Sequence, residues 1–195
     1  MAVFQTIKIG RLDAAKSSQL LDNGTTIEND NHVDTTFLDR DALTVHDWNC
    51  PIKVTGYNPK TGSTECPTIT GAVAYNHPFT GQTYILVYHQ AISVKSFPVH
   101  LMCPMQHRVN GVRVSETPMF LHDAPTEKTY AIEVNDLLNP GELLIIPFKI
   151  KGVTSYFAVR KPSVEKYEDG DLPHITMTAE VPEWDPCSAD FADQE

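Results

Sequence analysis

Hydrophobic and polar residues change places in short runs along this chain, and most runs have the two-residue period of strands. Val3, Gln5, Ile7 and Ile9 share one face of a first run, which Gly10 ends. Arg11 to Leu21 fits either a short helix through Leu12, Ala15 and Leu20 or a loose linker around Lys16-Ser17-Ser18. Asp22-Asn23-Gly24 is a turn signal. Phe37 to Val45 predicts a short strand or a turn of helix. Strands are expected over Ile52 to Tyr57, led by Pro51, and over Thr68 to Tyr75. Tyr84 to Tyr88 is almost continuously apolar, the pattern of a strand buried on both faces, and Ala91 to Val94 extends or follows it. Tyr130 to Val134, Leu143 to Lys149 and Ser155 to Val159 predict three more. Asn58 to Ser63 and Asn76 to Gly81 read as hairpin tips. Val109 to Val114 reads as a compact hairpin about Asn110-Gly111, and Lys151-Gly152 as the turn joining the last two strands. Pro104 suits the first turn of a short helix. After Pro162 the periodicity fades into an acidic stretch punctuated by Pro173, Pro182 and Pro186.

Composition narrows the class. The 14 prolines and 10 glycines are spread along the chain, which favours many short strands over a helical bundle. At 195 residues the chain can bury a core without disulfides. The net charge of -10 is concentrated between Glu165 and Glu195, the wrong sign for neutralising phosphates, so direct nucleic-acid binding is not expected. Cys50, Cys66, Cys103 and Cys187 form no close pair, which points to free thiols of a reducing compartment. No apolar run reaches the length of a membrane span, and early Lys8, Arg11 and Asp13 argue against a signal peptide. No cofactor is expected. Eight histidines lie without ligand spacing, so no metal site is expected either.

The polar run from Glu28 to Thr36, between Ile27 and Phe37, holds the candidate chemistry. Asp30 at a strand tip, followed by a turn and Asp34, is a way to present a carboxylate from a stiff base; an ordinary turn uses the same residues. Trp48 and Trp184 flank polar loops and could stack a ligand, with packing the simpler role.

Several blocks occur in an informative order: Asp30-Asn31-His32-Val33-Asp34-Thr35, His46-Asp47-Trp48-Asn49, Val54-Thr55-Gly56-Tyr57, and Gly71-Ala72-Val73-Ala74-Tyr75. They continue through Leu101-Met102-Cys103-Pro104-Met105-Gln106, Gly152 to Phe157, Val159-Arg160-Lys161-Pro162, and Pro182-Glu183-Trp184-Asp185-Pro186. Together they resemble the protease region of copia-type retrotransposon polyproteins of the kind found in microalgae and fungi. The resemblance runs from about Ile27 to Glu195.

That resemblance implies a retropepsin-like aspartic protease: a mostly β, closed barrel with a flap hairpin, one short helix and an additional C-terminal β-hairpin region. Residues 1–26 would be an N-terminal strand and linker, 27–128 the retropepsin-like core, 129–162 additional strands, and 163–195 an acidic tail. Asp30 falls at the catalytic position. Asn31 stands where the family has a hydroxyl residue and can donate a hydrogen bond; His32 stands where it has glycine. Asp34 and Thr35 complete the motif, with Asp34 anchoring backbone or capping a turn. Thr55, Gly56, Tyr57 and Gly71 belong to the expected flap, although an ordinary exposed hairpin satisfies the same pattern. One suitable Asp per chain implies a homodimer acting on its own polyprotein, in the cytoplasm or within virus-like particles. The alternative is a retroelement-derived module that keeps the fold as a scaffold without the chemistry.

Overall fold

The computed structural model describes residues 25–29, 35–55, 63–135, 141 and 143–180. The expected N-terminal strand, the Arg11 to Leu21 segment and the Asp22-Asn23-Gly24 turn lie outside these residues. The described chain is mostly β. Its larger sheet runs β10 (Lys149–Lys151), β11 (Thr154–Val159), β1 (Thr25–Asn29), β6 (His100–Met102), β2 (Phe37–Leu38), β5 (Thr83–Ser93), β4 (Ser63–Asn76) and β3 (Leu43–Thr55). β12 (His174–Thr176) joins it by pairing with β5. A second, three-stranded sheet orders β7 (Arg113–Val114), β8 (Ala131–Asn135) and β9 (Leu143–Pro147).

Among the described residues the expected closed barrel is not found. The larger sheet curls until Ala74 of β4 meets Arg160, just past β11, in one isolated bridge. Beyond the Leu43–Ala72 pair, β3 no longer covers that side of β4, and Arg160 takes its place. Pro162 follows two residues later with no N–H to give, so the ladder cannot run on to seal the circuit.

β3 and β4 form the expected long hairpin, in register to Thr55↔Ser63. Pro51 faces Pro67 across it, and a register shift separates Asp47 from Pro51, so the outer part is irregular and largely exposed. β5 is buried on both faces, as its apolar run predicts. Leu86 and Tyr88 join the main core with Ile27, Met102, Ile132, Ile146, Phe157 and Met177. Ile85 and Val87 pack on the other face against Ala72, Ala74, Tyr167 and Leu172.

Those last two residues correct the reading of the acidic stretch as a plain tail. Residues 163–180 carry a second short helix, α2 (Val164–Glu168), N-capped by the Ser163 hydroxyl, and then β12. Tyr167 and Leu172 cover the outer face of β5, while β12 lies beside β5 in the sheet and Ile175 and Met177 are buried in the main core.

The Asn110-Gly111 pair does not make a hairpin. It ends α1 (Pro104–Val109): Val112 N–H bonds His107 O, Gly111 N–H bonds Arg108 O, and Gly111 takes φ +78°. This is a helix stop, which uses the same glycine freedom as a tight turn. Val114 then pairs with Ile132 of β8. The Lys151-Gly152 turn forms, but between β10 and β11, while β9 pairs with β8. No helix among the described residues is long and apolar enough to cross a membrane.

Candidate functional site

Asp30, Asn31, His32 and Asp34 lie outside the described residues, as do Gly56 and Tyr57. The structure does describe what holds the motif at each end. β1 ends at Asn29, and Thr35 and Thr36 lead into β2. β6 is inserted between these two strands. It runs parallel to β1, with Asn29↔Met102, and antiparallel to β2, with Phe37↔Leu101. Two successive residues of one buried strand, Leu101 and Met102, therefore pair with Phe37 and Asn29.

The return to the sheet is densely bonded. Thr35 is buried, and its hydroxyl donates to Gln90 O at 3.3 Å. Thr36 is fully buried. Its N–H donates to Gln106 Oε1 at 3.0 Å, its Oγ1 accepts Cys103 N–H at 3.3 Å, and its carbonyl accepts Ile92 N–H at 2.9 Å. These partners come from β5, from α1 and from the residue just before α1.

Two histidines lie deeper in the same part of the fold. His100 Nδ1 accepts Asp39 N–H at 3.0 Å, so the ring proton sits on Nε2. Asp39 Oδ1 lies 3.3 Å from the same nitrogen, a separation that suggests an ion pair. The backbone bond already uses the Nδ1 lone pair, and burial holds the ring down to about 4, so His100 is neutral. The Asp39 carboxylate instead accepts Asp41 N–H at 2.6 Å. His107 donates from Nδ1 to Cys103 O at 2.7 Å and is likewise held to about 4, chiefly by burial. Tyr88 packs edge-on against it, with ring centroids 5.5 Å apart, and burial raises its phenol.

Of the residues expected in the flap, Thr55 ends β3 opposite Ser63. Gly71 sits in the body of β4, opposite Thr44 and Tyr88, and Leu38 Cδ1 occupies the space a Cβ would need. Close packing accounts for that glycine. Trp48 donates from Nε1 to Thr70 Oγ1 at 3.1 Å, leaving the Thr70 hydroxyl free to donate to His89 Nδ1 at 3.1 Å. His46 meets the Trp48 ring edge-on. Burial lowers the His89 pKa against the opposing charge of Glu180.

Sequence reasoning missed Gln90, Gln106 and the His89 chain. Their bonds to Thr35, Thr36 and Thr70 span 19 to 70 positions, and no local pattern marks such partners. Among the described residues, no group of three His, Cys, Asp or Glu converges as a metal site. Cys50 and Cys66 are free thiols. The chain matches no protein-family model, no curated protein and no solved structure.

Proposed function

We propose that this chain is a retropepsin-type aspartic endopeptidase of a copia-type retroelement, acting as a homodimer through Asp30 of each copy on its own polyprotein. The observation that supports this reading is the insertion of β6 between β1 and β2, so that one strand pairs with Asn29 before the Asp30 to Asp34 stretch and with Phe37 after it. Catalysis by paired carboxylates needs placement within a fraction of an ångström, and flanking residues paired to one buried strand suit that demand.

In the proposed dimer the two Asp30 carboxyls are close enough that both cannot be charged. The protonated one polarises the scissile carbonyl. The ionised one takes a proton from water, whose oxygen attacks the carbonyl carbon. The proton then passes to the leaving amine. The pair titrates as a unit, so its two pKa values belong to the dyad. The β3–β4 hairpin supplies the cover over the substrate, through Thr55, Gly56 and Tyr57.

The test is processing of a precursor that contains this segment, comparing the native chain with Asp30→Asn. Cleavage by the first and not by the second supports the reading. Equal cleavage by both removes Asp30 from the chemistry. His32 at the expected glycine position favours a second reading, the inactive scaffold, in which neither protein cleaves while both assemble.

A further inference from the structure

Between β7 and β8 the chain makes an excursion and comes back to its point of departure. Ser115 N–H donates to Ala131 O at 2.9 Å and Tyr130 N–H to Ser115 Oγ at 3.4 Å, so the two ends meet at a bonded neck. Past the neck, Val114 pairs with Ile132 and Arg113 with Glu133. The buried Glu133 carboxylate lies 3.7 Å from the Arg113 guanidinium and 3.5 Å from the Lys128 ammonium. Residues 119–128 are all exposed.

The loop contains a single 3-10 turn, Met119–Leu121. Leu121 N–H donates to Pro118 O at 3.0 Å and His122 N–H to Met119 O at 3.1 Å. On either side of the turn, Pro118 (φ −55°, ψ 145°) and His122 (φ −104°, ψ 136°) are already extended. Releasing those two bonds turns Pro118 to His122 into one extended run, at a cost confined to the loop. Endopeptidases hold their substrates in that form, with side chains seated in pockets beside the scissile bond. Phe120 and Leu121 offer such pockets two large apolar side chains, 75% and 65% exposed.

We propose that the Phe120–Leu121 peptide bond is a processing site for an endopeptidase with apolar pockets on both sides of the bond it cuts, and that the two-chain product keeps the fold. The reaction is hydrolysis: the C–N bond breaks, water supplies the hydroxyl of the new Phe120 carboxyl group, and its proton goes to the Leu121 amine. This holds whatever the role of Asp30, because the loop and its neck lie wholly among the described residues. Both new charges form where water already reaches, so neither has to be buried. The C-terminal piece carries β8 to β12. Its β11 pairs with β1 and its β12 with β5, and its Phe157 and Met177 share one core with Ile27 and Leu86. The cut touches none of these contacts.

The test treats the folded full chain briefly with chymotrypsin, whose specificity pocket is apolar, and reads the new chain ends by mass. A new end is expected between Met119 and His122, with the pieces 1–120 and 121–195 eluting together in buffer and apart in denaturant. Replacing the turn by Met119→Ser, Phe120→Ser and Leu121→Ser together should slow cutting within residues 116–129 about tenfold or more and leave the urea midpoint unchanged. Thr36→Val, which weakens the fold elsewhere, should leave the rate of the cut within about twofold.

No chain end between Met119 and His122 overturns the proposal, as do pieces that part without denaturant. Undiminished cutting of the loop in the triple variant removes the apolar recognition and overturns it as well. So does acceleration by about fivefold or more in Thr36→Val, since the bond would then be reached only through global unfolding. Should Thr36→Val not fold, sub-denaturing urea on the native chain makes the same comparison.

Discussion

The junction of β1, β6 and β2 and the connection between β7 and β8 are both poor in long regular elements, yet they are held in opposite ways. At the junction, side chains and backbone join residues 55 to 70 positions apart, and almost every group involved is buried. In the connection, hydrogen bonds within residues 118–129 reach three positions at most. Its 3-10 turn leaves Met119, Phe120 and Leu121 exposed at 43%, 75% and 65%. The first region has one geometry because many distant parts of the chain must agree on it. The second is locally shaped, and its exposed turn leaves the rest of the fold little dependent on the side chains of Met119, Phe120 and Leu121.

The largest effect that separates the two regions should come from acid. His100 and His107 are neutral when folded, with pKa values held to about 4, against about 6.5 in an unfolded chain. Above pH 6.5 neither state binds the protons and this contribution is complete. As pH falls from 6.5 towards 4, the unfolded chain takes up protons that the folded chain refuses, and stability drops by on the order of 3 kcal/mol per ring. Urea midpoints should therefore fall between pH 7 and pH 4.5, and less steeply in His107→Phe; parallel slopes for the two proteins contradict this.

Gly71→Val should come next. The added carbons meet Leu38 in the buried centre of the sheet, an overpacking expected to cost about 1–3 kcal/mol. Leu38→Ala in the same chain should make the second substitution less costly than it is alone. Thr36→Val keeps the shape but leaves the buried Cys103 N–H without its acceptor, for a loss of about 1–2 kcal/mol in denaturant unfolding. At the small end, Phe120→Ser in the exposed turn should stay within about 0.5 kcal/mol of the parent. A larger loss would mean that the connection is not as independent as its bonds suggest.

Much of the β architecture was legible in the sequence because it rests on local pattern. Thr68 to Tyr75, Tyr84 to Tyr88 and Ser155 to Val159 fall in strands, as does Tyr130 to Val134 apart from Tyr130 itself, and Pro104 opens α1. Failures came where one signal serves two structures or where the partner is remote. Asn110-Gly111 answers equally to a tight hairpin and to a helix stop, and only the five-residue reach from Val112 to His107 decides between them. His174 to Met177 looked featureless because its short apolar pattern acquires meaning only beside β5. The candidate stretch could be placed by its neighbours, Ile27 on one side and Phe37-Leu38 on the other. Gln90 and Gln106 could not, since neither carries any mark of the threonines it holds.

The pairing of β1 with β11 sets an order of events for a chain made from one end. Ile27 lies beside Phe157, about 130 residues downstream. At ribosomal rates of about 5–20 residues per second, that side of β1 waits several seconds or more for its neighbour to be synthesised. β6 arrives sooner and can cover the opposite side. Through that interval the nascent chain carries an open strand edge, so its yield on synthesis should be governed by how well that edge is shielded from other copies.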